Sequence, residues 1–261
     1  MSEAAIDKLL DIMAALRDPH SGCAWDRKQT LESLAPYTQE EAAEVVEAIA
    51  SGDRDNLKEE LGDLLLQVVF QSQIARENGW FEFADVVDAI SNKMLRRHPH
   101  VFADQATTDV ATIKQSWEAI KAAERAQKGE HRASLLDGIP ASLPALARAA
   151  KIQKQAAKVG FDWSEAEPVM AQVVAELDEL REAYAAENEQ AIGDELGDVL
   201  FTVVNLARKL NLDPELALRR ASGKFEQRFR RMEELGQLSD LDSAALEALW
   251  QQAKEDLAGR E

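Results

Sequence analysis

The sequence contains a single cysteine, Cys23, among 261 residues. One thiol cannot form an intramolecular disulfide, so we expect a reducing compartment and a small buried role for this side chain. No uncharged stretch approaches the roughly 18 residues that a membrane span requires. The start, MSEAAIDKLLDIMAAL, also lacks a basic segment followed by an apolar one. These absences predict a soluble cytoplasmic protein that does not bind membranes.

Glycine and proline are scarce, with 12 and 7 residues, and the alternation of apolar and polar residues typical of β-strands is hard to find. The chain is rich instead in Ala, Leu, Glu, Gln and Arg, which predicts an all-α fold. Basic residues are also in the minority, since 30 Lys and Arg face 48 Asp and Glu and leave a formal net charge of −18. A polyanion is repelled by such a surface, so general nucleic-acid binding is not expected.

Several motifs of known chemistry are missing. The chain has neither the Gly-x-x-x-x-Gly-Lys-Ser/Thr loop nor the Gly-x-Gly-x-x-Gly turn that binds nucleotides in P-loop and Rossmann proteins. It has no Gly-x-Ser-x-Gly elbow, and Cys23 has no evident activating partner. A di-iron helical bundle needs Glu-x-x-His, and no Glu stands three residues before any of the four histidines, His20, His98, His100 and His131.

What the chain does contain is a pattern of four acidic residues that occurs twice. Each copy runs Glu, three residues on to Glu, sixteen on to Glu and three on to Asp, and the two copies are separated by a constant 135 positions. The first set is Glu41, Glu44, Glu60 and Asp63, and the second is Glu176, Glu179, Glu195 and Asp198. This repetition predicts two related domains.

The spacing places the four carboxylates of each set between two antiparallel helices. Residues three apart share a helix face, and the sixteen-residue gap leaves room for a turn at Ser51-Gly52-Asp53 or at Glu187-Asn188-Glu189. We expect the interleaved apolar residues to form a buried seam between the helices, namely Val45, Val46, Ile49, Leu61, Leu64, Leu65, Val68 and Val69. Clustered carboxylates beside apolar surface are costly unless a cation neutralises them. The alternative is that these acids are solvated and only maintain solubility.

An all-oxygen site suits Mg²⁺, with Mn²⁺ as the alternative, whereas zinc and redox metals usually recruit His or Cys. Magnesium also retains positions for water and substrate phosphates, so each quartet could hold one or two ions that bridge a polyphosphate. Gly62 and Gly197 stand inside the acidic helices, where glycine is unfavourable. Either close helix packing or the approach of a ligand to the backbone would explain them.

The order of predicted elements is repeated in the two halves. The first half has a helix from about Ile6 to Leu16, an acidic helix pair from about Thr38 to Arg76, and helices over 83–97 and 111–128; the second half repeats this order. Two prolines and two glycines fall within 129–146, which is typical of a linker. We therefore predict domains at 1–130 and 131–261.

Basic residues follow each acidic pair on one helix face. They are Lys93, Arg96 and Arg97 in the first half and Lys224, Arg228 and Arg231 in the second. Such a face can bind phosphate oxygens, or it can form surface salt bridges to acids such as Glu226 or Glu233. A Trp-x-x-x-Lys motif closes each half, with Trp117 in the first and Trp250 in the second. Either tryptophan could anchor the core or stack on a base.

Several segments together resemble the two-domain MazG family of nucleoside triphosphate pyrophosphohydrolases, and the match covers almost the whole chain. They are GCAWD, EEAAEVVEAI, EELGDLLLQVVF and RRHPHVF in the first half, and VGFDW, ELGDVLFTVVNLAR and KFEQRF in the second. The resemblance implies an all-α fold whose helices form a four-helix-bundle-type homodimer. It also implies Mg²⁺-dependent hydrolysis of NTPs and dNTPs to NMP and pyrophosphate, in nucleotide-pool cleansing and the stress response.

The resemblance also implies the site residues. The metal-binding and catalytic acids fall on Glu176, Glu179, Glu195 and Asp198. Nucleotide contacts fall on Gln172, Glu176, Asp194, Lys224, Arg228 and Trp250. In two-domain members catalysis is credited to the second domain, which leaves the first as a structural, regulatory or weakly active unit. Its own quartet is a second candidate metal site.

The hypothesised mechanism is in-line attack of an activated water on the α phosphorus, with Mg²⁺ bridging the α and β phosphates and no covalent intermediate. Glu176 or Glu179 would orient the water or take its proton, and Lys224 and Arg228 would offset charge on the leaving pyrophosphate. The alternative from another class is a helical module that senses a nucleotide or docks on a protein without turnover. Metal-dependent product formation distinguishes the two.

Overall fold

The computed structural model describes residues 3–103, 108–127, 129 and 133–258. The chain divides into two compact units, Met1–Glu130 and His131–Glu261. The described residues contain α-helices and two short 3₁₀ helices but no β-strand, which confirms the all-α prediction. Residues 130–132 at the predicted boundary, including His131, and Lys128 at the end of a predicted helix lie outside the described residues.

The first unit has two long helices that pack against each other, with shorter helices before and after them. Its helices are α1 (Glu3–Leu16), α2 (Leu31–Ser51), α3 (Arg54–Glu77), α4 (Phe83–Arg97), α5 (Pro99–Phe102) and α6 (Val110–Gln127). α2 begins well before the predicted Thr38, because Thr30 and Ser33 form a capping box that starts the helix there, and Pro36 is accommodated inside it.

The second unit repeats this order around its own pair of long helices. Its helices are α7 (Ala145–Ala157), α8 (Ala166–Ala185), α9 (Glu189–Lys209), α10 (Pro214–Leu235) and α11 (Ser243–Ala258). α10 has 22 residues where its counterpart α4 has 15, because Pro99 interrupts the helix in the first unit. This difference in length changes which basic side chains reach the last helix.

Both predicted turns between the acidic helices are confirmed. In the first unit Gly52 takes the left-handed conformation with φ of 74°, and the carboxylate of Asp53 accepts hydrogen bonds from the first amides of α3. In the second unit Glu187 adopts φ of 54°, and the side chain of Asn188 caps α9. Each turn reverses the chain and sets two acidic helix faces side by side.

Each unit fastens the loop before its acidic pair with charged side chains. Arg17 donates hydrogen bonds to the carbonyls of Asp26 and Gln29 and forms an ion pair of 2.6 Å with Glu77 at the end of α3. In the second unit the contact has the opposite polarity, because the loop supplies the acid. Asp162 pairs there with Arg208 and Lys209 at the end of α9.

Candidate carboxylate and phosphate site

Three carboxylates of each predicted quartet meet between the two long helices. Carboxylate oxygens of Glu41, Glu44 and Glu60 all lie within 4.8 Å of one another, and the same holds for Glu176, Glu179 and Glu195. In both triplets the first and third residues are half-buried and the second is exposed. The spacing in the sequence therefore produced two geometrically similar clusters, each open to solvent on one side.

The fourth acid of each set lies further out. Asp63 and Asp198 are exposed and do not belong to the 4.8 Å groups. They still act electrostatically, because Asp63 raises the pKa of Glu41 and Glu60, and Asp198 raises that of Glu195.

The ionised form of carboxylates in both clusters is disfavoured. Desolvation is the largest cause that raises the pKa of Glu41, Glu60 and Glu195, and repulsion from neighbouring carboxylates adds to it. For Glu195 the repelling groups are Glu179, Asp198, Glu176 and Asp194 in decreasing order. Packed carboxylates with raised pKa values and only oxygen ligands suit a hard divalent cation such as Mg²⁺. Half-buried acids this close together favour a bound cation over simple solvation.

Glutamine side chains contact one acid in each triplet. The Nε2 of Gln172 donates to the Oε1 of Glu176 at 2.9 Å, and both residues lie on α8. In the first unit the Nε2 of Gln67 is 3.4 Å from the Oε1 of Glu41, across the two helices. The Oε1 of Gln67 is buried without a hydrogen-bond partner. Sequence reasoning missed Gln67, although a polar residue within the apolar run LLLQVVF was the available signal.

The expected apolar seam is only partly correct. Val45 and Val69 are buried, but Ile49, Leu61 and Val68 are 61%, 50% and 40% exposed. Those three side chains are largely exposed, so they contribute little to the seam within one chain. α9 has an equivalent exposed stripe, formed by Leu196, Leu200 and Val203.

Two further sequence interpretations are corrected by the packing. A Cβ added to Gly62 or Gly197 would meet no atom within 4 Å, so close packing inside a unit does not explain these glycines. The approach of a ligand to the backbone remains as the other explanation. Cys23 is exposed rather than buried, because it lies in the loop after α1.

The basic residues of the second unit divide into two groups. Arg231 forms ion pairs with Asp256 at 2.6 Å and Glu234 at 2.9 Å, so the salt-bridge alternative holds for this residue, although with other acids than expected. Arg228 instead lies 5.7 Å from the ring centroid of Trp250, which Phe225 also contacts at 5.2 Å. Among the described residues, neither Lys224 nor Arg228 has a carboxylate partner.

The described contacts do not join these basic groups to the acidic triplet. The salt bridges of the described residues include none between Glu176, Glu179 or Glu195 and Lys224 or Arg228. α10 packs against α9, α7 and α11, so both groups belong to the same unit.

The first unit uses its basic residues differently. Arg97 pairs with Glu124 at 2.6 Å and Arg96 with the same carboxylate at 3.3 Å. The ring of His98 meets Trp117 edge-on at 5.2 Å, and the Nε1 of Trp117 is buried without a partner. The ring of Trp117 is thus half-buried against His98.

The fold and the site define a class of all-α proteins with paired carboxylate helices suited to a divalent metal. The family model for the MazG nucleotide pyrophosphohydrolase domain matches twice, at residues 29–102 and 164–232. The chain belongs to the MazG family. Among the described helices, none combines the length and the apolar character of a membrane-spanning segment.

The relatives are similar over nearly the full length. The chain is 51% identical over 256 residues to the nucleoside triphosphate pyrophosphohydrolase of Escherichia coli strain K12, covering 95% of this chain and 97% of that protein. It is 48% identical to the nucleoside triphosphate pyrophosphohydrolase/pyrophosphatase MazG of Thermotoga maritima, covering 97% and 98%. A crystal structure of a MazG-related protein from Thermotoga maritima matches 44% of this chain and 98% of that one, at 26% identity and a TM-score of 0.39.

Proposed function

We propose that this protein hydrolyses nucleoside triphosphates and deoxynucleoside triphosphates between the α and β phosphates, giving NMP and pyrophosphate. The activity named for its full-length relatives supports this, as does membership of the MazG family. The second unit is proposed as the catalytic one because it contains both a carboxylate triplet and a basic side chain that has no carboxylate partner among the described residues. The triplet is Glu176, Glu179 and Glu195, and the basic side chain is Arg228, which lies over the ring of Trp250.

Glu176, Glu179, Glu195 and Asp198 are the residues that we expect to hold Mg²⁺, with Mn²⁺ as a substitute. The raised pKa of Glu195, caused by desolvation and by its acidic neighbours, fits this role because a cation would relieve both. When bound, the metal supplies positive charge for the phosphates and lowers the pKa of a water molecule. The triplet of Glu41, Glu44 and Glu60 has the same donor set and is a second candidate.

The remaining steps are assigned to side chains of the chain itself. Gln172 holds Glu176 through its 2.9 Å hydrogen bond and so fixes the direction of one carboxylate. Glu179 is exposed, so it can take a proton from the attacking water and pass it to solvent. Lys224 and Arg228 offset the charge on the departing pyrophosphate. Trp250 provides a ring against which a base can stack.

Turnover of the intact protein tests this proposal. We expect NTP with Mg²⁺ to give NMP and pyrophosphate, and a chelator to stop the reaction. Glu179→Gln should lower kcat/KM by at least about a hundredfold, because it removes a group on which the chemical step depends. Asp178→Asn is the matched control, since Asp178 is the preceding acid on α8 and forms an exposed ion pair with Arg181. Equal activity of Glu179→Gln and the unmodified chain would refute the assignment.

A helical module that senses nucleotide without turnover is the alternative. It predicts that Glu179→Gln changes nucleotide affinity while the unmodified protein forms no product with any base. Product formation decides between the two functions, because a sensing module leaves the NTP intact. The two activities can also be divided, with the second unit catalytic and the first sensing or structural.

We also propose that the protein is a homodimer. The exposed apolar residues Leu61 and Val68 on α3 and Leu196, Leu200 and Val203 on α9 support this, because Leu61 and Val68 stand at positions equivalent to Leu196 and Val203. Contiguous apolar faces of this kind are usually covered in the assembled protein. Sedimentation should give twice the chain mass, and Leu200→Lys should shift the equilibrium to monomer. A monomeric unmodified protein would contradict the proposal.

The cellular role that we propose is removal of surplus or non-standard nucleotides in the cytoplasm, including under nutritional stress. The single cysteine supports a reducing compartment. Cell fractionation tests the location, and nucleotide pools measured in a strain lacking the protein test the role. Unchanged pools under starvation would contradict it.

A further inference from the structure

Both units tie their last two long helices together with an ion pair between an arginine and a carboxylate. In the second unit Arg231 on α10 binds Asp256 on α11 at 2.6 Å, with a second hydrogen bond at 2.8 Å. In the first unit Arg97 on α4 binds Glu124 on α6 at 2.6 Å, with a second hydrogen bond at 3.2 Å. Both ion pairs join the same two helices of the repeat, but the two arginines stand at different positions in it.

The two arginines are not equivalent in sequence. Each unit has a Lys-x-x-x-Arg pair, formed by Lys93 and Arg97 in the first and by Lys224 and Arg228 in the second. Arg231 follows that pair by three residues, one turn further along α10. The corresponding position in the first unit is His100, which lies beyond α4 because the helix ends before Pro99. The shorter helix therefore forms its tie with Arg97 itself.

Which arginine forms the ion pair decides whether the Lys-x-x-x-Arg pair of a unit can bind a ligand. Glu124 is held ionised, because hydrogen bonds from Arg97 keep its pKa below the ordinary value. Its carboxylate occupies the N–H groups of the guanidinium that a phosphate would otherwise use, and it also binds Arg96. In the second unit the guanidinium of Arg228 lies over the ring of Trp250 instead.

We propose that Glu124 prevents the Lys93 and Arg97 pair of the first unit from binding a phosphate chain, and thereby restricts triphosphate uptake to the second unit. The inference rests on the proposed function, in which Lys224 and Arg228 bind phosphate. Glu124 stands seven residues after Trp117, and the residue seven after Trp250 is Leu257, which has no charge. The second unit therefore has no carboxylate at the position that Glu124 holds in the first.

Binding of inorganic tripolyphosphate with Mg²⁺ tests the first unit directly. The background is the full chain with Lys224→Gln and Arg228→Gln, so that the second unit keeps its metal-binding acids but loses the basic pair proposed to bind phosphate. Adding Glu124→Gln should tighten binding measured by calorimetry at least about tenfold, the usual worth of a charge-assisted hydrogen bond. Adding Arg97→Gln as well should abolish the gain.

A matched control separates this effect from a change in net charge. Asp88→Asn removes one negative charge from an exposed position of α4 without releasing Arg97, so it should leave the affinity unchanged. A gain with Asp88→Asn equal to that with Glu124→Gln would overturn the proposal. So would the absence of any gain in a Glu124→Gln protein that keeps its helical circular dichroism.

A second substitution keeps the proposal testable if Glu124→Gln impairs folding. Glu124→Ala removes the same carboxylate from α6 and places a strong helix former there, so it should tighten tripolyphosphate binding by about the same factor. A folded Glu124→Ala protein with unchanged affinity would overturn the proposal. If the unmodified chain hydrolyses no NTP, the proposed function fails by its own assay. The tripolyphosphate measurement requires no turnover and can still be interpreted.

Discussion

Replacing Glu41 with glutamine should stabilise the metal-free protein, although it removes a predicted metal ligand. Desolvation and repulsion from Asp63 and Glu44 raise the pKa of Glu41, so the folded state disfavours its charge at neutral pH. Two like charges within 4.8 Å repel by about 1 kcal/mol in water and about 3.5 kcal/mol at an effective dielectric of about 20. Because the cluster is open on one side, we expect Glu41→Gln to add about 1 kcal/mol to the free energy of unfolding.

Urea unfolding followed by tryptophan fluorescence measures this difference, and hydrogen exchange of peptides from α2 and α3 assigns it to the first unit. Glu47→Gln is the control, because Glu47 is an exposed acid on α2 outside the triplet. Added Mg²⁺ should stabilise the unmodified chain more than Glu41→Gln, since binding to the folded state adds to its stability. Destabilisation of metal-free Glu41→Gln, or a gain matched by Glu47→Gln, would refute the reasoning.

Three other predictions concern the second unit. Burial raises the pKa of Asp162, but hydrogen bonds from Arg208 and Lys209 outweigh this effect and lower the pKa below the ordinary value of 3.8. The ion pairs of Asp162 therefore stabilise the folded unit above pH 3.8, and this stabilisation is lost as the pH falls through the lowered pKa. Asp162→Asn should therefore destabilise the unit by about 2 kcal/mol in urea unfolding at pH 7, and a difference that persists undiminished at pH 2 would contradict this cause. Gln172→Ala should reduce kcat about tenfold by releasing a carboxylate, and steady-state kinetics showing only a change in KM would oppose that role. Trp250→Ala should raise KM about tenfold, whereas Trp250→Phe should restore most of the affinity; equal losses would exclude ring stacking.

The helix pairs and their triplets could be predicted because both follow from local spacing. Residues three apart share a helix face, and Gly52 followed by the capping Asp53 predicts the turn between the two helices. The same reasoning failed for Ile49 and Leu61, which are exposed. Helical periodicity identifies an apolar stripe but does not reveal whether it packs within the chain or remains uncovered.

The difference between the two units was also hidden from the sequence. Lys93 and Arg97 have the same spacing as Lys224 and Arg228, so spacing alone did not distinguish the two pairs as candidates for phosphate binding. Only tertiary contacts showed that Glu124, 27 residues from Arg97 in sequence, occupies one of them. Pro99 was visible as a helix terminator, but its consequence depends on where α6 packs against α4.

The central claim is tested most directly by one reaction in water enriched in ¹⁸O, with NTP, Mg²⁺ and the full-length protein. Ion-exchange separation identifies the products, and mass spectrometry locates the label. Attack at the α phosphorus predicts one ¹⁸O in the NMP and unlabelled pyrophosphate. Formation of NDP and phosphate, or label found in the pyrophosphate alone, would contradict the account.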